Sequence, residues 1–134
     1  MASKYIGLPG TGAVDPTAVG NAHYQYNQAS IQTQNNSPTE IYRDGVTEDG
    51  IYLFEIRVVG VQSATANAVF KRSFTVYRVG GLLSILAVQS DYTFKTDAGW
   101  TIAIVNDGAV TVSVTGHPSE NVNWVLTVTK TMGF

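Results

Sequence analysis

Large apolar residues alternate with polar or small ones through much of the second half of the chain. Every second residue is apolar from Trp100 to Ile104 and again from Val110 to Val114, and Asn106-Asp107-Gly108 separates the two runs. Alternate side chains of a strand point to the same face, and an Asp-Gly step favours a tight turn between strands. The pattern therefore predicts an antiparallel hairpin whose apolar residues face a core.

Similar signals recur along the chain and predict further strands. The predicted segments are residues 24–34, 40–43, 51–62, 68–79, 82–89, 92–95, 99–105, 109–115 and 122–132. No window has the 3.6-residue period of an amphipathic helix, and the connections are too short for parallel crossovers. We predict an all-β fold, an antiparallel β-sandwich of jelly-roll or immunoglobulin-like type with eight or nine strands.

Two of these predicted strands have a well-defined apolar face. In residues 51–62, Tyr52, Phe54, Ile56 and Val58 share one face, and in residues 122–132 Trp124, Leu126 and Val128 do so. These side chains are expected to form the centre of the core, because residues two apart in a strand lie on the same side of its sheet.

Residues 1–22 depart from the alternating pattern. Glycine and proline occur there too densely for a helix or a strand, at Gly7, Pro9, Gly10, Gly12, Pro16 and Gly20. We predict an extended arm over residues 1–22 that is ordered only when it lies on another surface, followed by a β-sandwich domain over residues 23–134. The expected contact residues of the arm are Tyr5, Ile6, Leu8 and Pro9.

Composition narrows the classes of partner. The chain has 134 residues, enough for one domain, and charged residues make up 13%, about half the usual share. The net charge is −2 and lysines and arginines are scattered, so we expect no nucleic-acid partner. There is no cysteine, which excludes disulfides. Without an apolar leader or a run of about 20 apolar residues, we expect synthesis in the cytoplasm and no membrane association.

The sequence contains no recognisable catalytic pattern. His23 and His117 are the only histidines, and neither has a second histidine near it. The acidic residues Glu40, Asp44 and Glu48-Asp49 lack the alternating spacing of a calcium loop. We therefore predict no catalytic residue, no metal site and no cofactor, and we expect that the protein is not an enzyme.

Several tyrosines are candidates for a contact surface. Tyr24 and Tyr26 share one face of the first predicted strand, and Tyr42 is expected nearby. Tyrosines on a sheet can bind carbohydrate or protein, because each combines an apolar ring with a hydrogen-bonding hydroxyl. The alternative is that they cover the edge of the sandwich or form a subunit contact.

Several short motifs follow one another in a characteristic order between residues 35 and 131. They are Ser37-Pro38-Thr39-Glu40-Ile41, Ile56-Arg57-Val58-Val59-Gly60, Lys71-Arg72, Tyr77-Arg78-Val79-Gly80-Gly81, Trp100 to Val105, and Val110 to Gly116 followed by Asn123-Trp124-Val125-Leu126-Thr127-Val128. In this order they resemble a β-module of tailed-bacteriophage structural proteins, found at the C-termini of tail fibres and as small free-standing virion proteins. Thr101 departs from the module, which often has aspartate there.

The resemblance implies a non-enzymatic virion protein that forms a homo-oligomer, by analogy a trimer. Because the chain has only a short arm and one β-domain, the expected role is capsid decoration. Such a cement protein binds the major capsid protein, or other virion proteins, and stabilises the head shell. The alternative is a tail-fibre or tail-tip module that recognises a bacterial surface glycan.

Overall fold

A computed structural model describes residues 24–133, which form eight β-strands and no helix. The strands are β1 (Tyr24–Thr33), β2 (Thr39–Asp44), β3 (Gly50–Ser63), β4 (Ala66–Val79), β5 (Leu82–Lys95), β6 (Thr101–Asn106), β7 (Val110–Thr115) and β8 (Val122–Gly133). The predicted arm over residues 1–22, with Tyr5, Ile6, Leu8 and Pro9, lies outside the described residues, as does His23.

The strands form two antiparallel sheets, which confirms the predicted fold class. The larger sheet has five strands in the order β1-β8-β3-β4-β5, and the smaller has three in the order β2-β7-β6. Within the described residues, the first two strands pair with the last two, β1 with β8 in the larger sheet and β2 with β7 in the smaller. The core contains buried residues from both sheets, so the inner face of each sheet packs against the other.

The predicted apolar faces of β3 and β8 form the centre of this core. Each of these residues is 3% exposed or less: Tyr52, Phe54, Ile56, Val58, Trp124, Leu126 and Val128. The rings of Phe54 and Phe74 stack with their centroids 5.3 Å apart. Burial of these side chains is the main term that stabilises the two-layer structure.

The predicted hairpin is formed by β6 and β7. Its register runs from Thr101 opposite Thr115 to Asn106 opposite Val110. Gly108 adopts a φ of +93° in the turn, a conformation that side chains disfavour, and its amide donates a 3.1 Å hydrogen bond to Oδ1 of Asn106. The inward residues of β7 are fully buried, whereas Ile102 and Ile104 of β6 are half-buried at the sheet edge.

One detail of the strand prediction is wrong. Residues 82–89 and 92–95, predicted as two strands, form the single strand β5. Its register with β4 shifts opposite Arg72 and again opposite Phe74, and Ala87 has a φ of +54°. These are β-bulges, which take up extra residues without ending the strand.

Candidate functional site

Tyr24 and Tyr26 lie together on an exposed surface, as the alternation predicts. Strand β1 is at the edge of the five-stranded sheet, where Tyr24 lies opposite Thr131 and Tyr26 opposite Thr129. The two tyrosines are 59% and 55% exposed, and Nε2 of Gln28 donates a 2.9 Å hydrogen bond to the Tyr26 hydroxyl. The edge of this sheet therefore presents two aromatic rings among neutral polar side chains.

Tyr42 is not part of that surface. It lies in β2 opposite the buried Val112, is half-buried, and packs against the core from the three-stranded sheet. Its hydroxyl donates a 3.1 Å hydrogen bond to Oδ2 of Asp44. The structure thus separates Tyr42, which faces the space between the sheets, from the outward-facing Tyr24 and Tyr26.

Asp44 is the centre of a polar cluster that links the two sheets. Nζ of Lys130, from β8, crosses the core and donates a 2.8 Å hydrogen bond to Oδ2 of Asp44. The amide of Val46 donates to Oδ1 at 2.9 Å. Lys130 is only 7% exposed, and its ammonium group lies 5.7 Å from the ring centroid of Tyr52 and 5.8 Å from that of Phe54.

The surroundings of Asp44 and Tyr42 determine the protonation state of each side chain. Burial opposes ionisation of Asp44, but the hydrogen bonds and charge of Lys130, the Val46 amide and the Tyr42 hydroxyl outweigh it and lower the pKa of Asp44. Burial, the Asp44 charge and the hydrogen bond to it raise the pKa of Tyr42 well above its ordinary value. Asp44 is therefore an anion and Tyr42 a neutral donor over the neutral pH range.

Shifted pKa values occur both at active sites and in structural ion pairs. Here both oxygens of Asp44 accept hydrogen bonds from within the chain, and Lys130 is enclosed by aromatic rings. The geometry of Asp44 and Lys130 fits a structural ion pair that links the two sheets. No sequence motif marks Lys130, although the alternation Trp124, Leu126, Val128 places it at the next inward position of β8.

His117 is part of a second group of ionisable side chains. Its Nε2 lies 2.9 Å from Oδ2 of Asp97, and its Nδ1 lies 3.7 Å from Oε1 of Glu120. These contacts join the β5–β6 connection to the β7–β8 connection. Among residues 24–133, no group of three histidine or acidic side chains is arranged to hold a metal ion.

Three acidic residues in and near β2 each form an ion pair with a different cationic side chain. Glu40 pairs with Arg43, Asp44 with Lys130, and Asp49 with Arg78. The part of the chain that the structure describes also contains no helix that could cross a membrane.

Together these features define a two-sheet antiparallel β-sandwich protein with an exposed aromatic edge. No family model matches the sequence, and no curated protein matches it. Among solved structures, the chain is similar to the tailspike protein of Acinetobacter phage vB_ApiP_P1, at 11% identity and a TM-score of 0.44. The match covers 92% of this chain and 25% of the tailspike chain, so this chain spans a quarter of that protein.

Proposed function

We propose that the chain is a non-enzymatic structural protein of a bacteriophage virion, a decoration protein that binds the head shell. The observation that carries the proposal is the ordered series of motifs, from Ser37-Pro38 to Asn123-Trp124-Val125, which resembles the phage β-module. The proposed partners are the major capsid protein and other virion proteins, and the proposed location is the assembled particle.

The packing of three of these motifs supports treating them as one unit. Trp100 opens the β6 motif and Trp124 lies in the closing motif, and their ring centroids are 5.7 Å apart. Gly60 ends the Arg57-Val58-Val59-Gly60 motif and lies directly opposite Trp124. Residues distant in sequence thus meet in one part of the core.

The proposed mechanism is attachment through the arm, with the β-sandwich as a folded cap. Tyr5, Ile6, Leu8 and Pro9 would lie on capsid subunits or a sister protomer, and the sandwich would cover the shell surface. Polar but largely uncharged surfaces suit this role, because attachment then relies on shape and apolar burial more than on charge.

A binding experiment with empty shells of the cognate phage tests this proposal. The full-length protein should sediment with the shells and raise their thermal stability. A variant lacking residues 1–20 should keep the circular dichroism and cooperative unfolding of the sandwich but lose binding. Full-affinity binding by the truncated protein would contradict the role of the arm, and no binding by either protein would contradict decoration of the shell.

The exposed pair Tyr24 and Tyr26 favours a second candidate, a tail-fibre or tail-tip module that binds a bacterial surface glycan. Aromatic rings beside neutral hydrogen-bonding side chains suit sugar rings. On this hypothesis the full-length protein binds specific glycans on an array, and Tyr24→Ala or Tyr26→Ala abolishes the signal. Tyr77→Ala is the matched control, since Tyr77 is 46% exposed but lies in β4, away from this edge.

A further inference from the structure

The outer face of the five-stranded sheet, which points away from the three-stranded sheet, has a regular pattern along β3. Its outward residues alternate with the core residues and are, in order, Ile51, Leu53, Glu55, Arg57, Val59 and Val61. The four apolar residues among them are between 39% and 50% exposed. Two apolar positions, two charges and two apolar positions therefore follow one another along an exposed strand.

The apolar positions of β3 continue onto neighbouring strands. Around Val59, directly paired residues form an apolar row of Val125, Val59, Val69 and Phe94. At the other end of the face, Leu53 lies two strands from Leu86, and Ile51 lies opposite Tyr77. The outer face thus has a largely apolar band at each end of its strands and a charged band between them. Polar residues interrupt both outer bands, since Thr75 and Thr131 pair with Leu53, and Asn67 and Asn123 pair with Val61.

The charges of the middle band are separated by sign into adjacent rows. Arg57 and Lys71 lie directly opposite each other, and no described residue forms an ion pair with either. In the next row, Glu55 accepts a 3.3 Å hydrogen bond from Thr129. Ser73 in that row donates a 2.7 Å hydrogen bond to Asp91. Like charges opposite each other are unfavourable, so the cationic row lacks compensation within the described chain.

This arrangement is complementary to itself under a two-fold rotation. The axis lies in the plane of the interface, crosses the strands, and passes between the rows of Glu55 and Arg57. It places Arg57 of each copy over Glu55 of the other, and Lys71 over Ser73 with its bound Asp91. The same rotation stacks the apolar band containing Val59 on the band containing Leu53.

We propose that a second copy of this chain packs on the outer face through this two-fold axis. The contact is isologous, because each copy supplies the same surface, and packed sheets about 10 Å apart accommodate such side chains. Charge complementarity selects a second copy in this orientation. The proposal is independent of the virion role. It differs from the trimer implied by the phage resemblance, because a three-fold axis cannot pack one face against the same face of another copy.

Charge reversal tests the proposed dimer in the full-length protein by sedimentation velocity and light scattering. The wild-type protein should have twice the mass of one chain. Glu55→Arg and Arg57→Glu should each weaken dimerisation at least about tenfold, since each places like charges together twice across the axis. The double variant Glu55→Arg/Arg57→Glu should restore dimerisation, because its pairs are again of opposite sign. Circular dichroism checks that each variant is folded.

A matched control uses the other sheet. Val105 is 47% exposed on β6, and Val105→Glu should leave the dimer unchanged, whereas Val59→Glu should dissociate it. A monomeric or trimeric wild-type protein would overturn the proposal. So would a dimer that survives Val59→Glu and both single charge reversals, because it would use another surface. Failure of the double reversal to restore the dimer would overturn the proposed pairing of Arg57 with Glu55.

Discussion

Gly60 and Trp124 show how a single residue determines packing in this core. They lie opposite each other on β3 and β8, and the indole nitrogen of Trp124 donates a 3.0 Å hydrogen bond to Thr33 on β1. A Cβ atom at position 60 would lie 2.6 Å from Cζ3 of Trp124. The glycine thus leaves room for a fully buried tryptophan whose one polar atom has a partner.

Gly60→Ala should destabilise the protein by about 1–3 kcal/mol, the range for overpacking a well-packed core. The added methyl must displace the Trp124 ring, which is held in place by Thr33 and by contact with Trp100. The free energy of unfolding from urea titration measures the effect. Gly45→Ala is the control, because a Cβ there meets nothing closer than 3.9 Å. Equal stability of the two variants would contradict this account of the packing.

The buried pair of Asp44 and Lys130 predicts a characteristic set of mutant stabilities. Asp44→Ala should cost about 3–5 kcal/mol, because it leaves the Lys130 ammonium buried without a counterion. The double variant Asp44→Ala/Lys130→Met should be more stable than Asp44→Ala, since no unpaired charge remains. Urea unfolding of both variants and the wild type makes the comparison. A double variant less stable than Asp44→Ala would show that the pair does not act as described.

The shifted pKa values of Asp44 and Tyr42 predict how the stability of the protein changes with pH. Because the folded-state pKa of Asp44 is lowered, its contribution is present above the ordinary aspartate pKa of about 4 and is lost as pH falls through the folded value. The pKa of Tyr42 is raised, so its contribution is present below the ordinary tyrosine pKa of about 10 and is lost at higher pH.

Unfolding free energies of the wild type and of Asp44→Ala/Lys130→Met, measured from acid to alkaline pH, test this prediction. The wild type should lose stability more steeply than the double variant at both extremes. Parallel pH profiles would contradict the prediction.

At the scale of the strands, the β6–β7 hairpin and β5 show what the sequence can and cannot predict. Alternation and the Asp107-Gly108 turn are local signals, so the hairpin and its buried face could be predicted. The bulges of β5 arise from its pairing with the preceding strand β4, which alternation within β5 alone does not encode, and one strand was therefore predicted as two. Lys130 could have been placed on the inner face by alternation, but its partner Asp44 could not.

Gly108→Ala tests the turn of that hairpin. The φ of +93° at Gly108 is unfavourable for alanine, and no atom lies within 4 Å of an added Cβ, so the cost is conformational. We expect a loss of about 1 kcal/mol or more, seen as a lower thermal midpoint with two-state unfolding retained. An unchanged midpoint would contradict the role of the glycine in the turn.

At the scale of the whole molecule, the fold class follows from the sequence and the strand order does not. Period-two alternation predicts strands and their buried faces, but any of several orders would bury the same residues. The structure adds that β1, β8, β3, β4 and β5 share one sheet, which aligns the rows of its outer face. For the same reason the position of Tyr42 could not be predicted, since its distance from Tyr24 and Tyr26 depends on which strands share a sheet.

We propose that this β-sandwich is a component of a phage head surface. Cryo-electron microscopy of intact particles, with the protein identified by antibody labelling, tests it most directly. We expect density of the size of the sandwich at regular positions on the head shell, absent from particles of a deletion mutant and restored by adding the protein. Labelling confined to the tail, or particles that contain no copy of the chain, would contradict it.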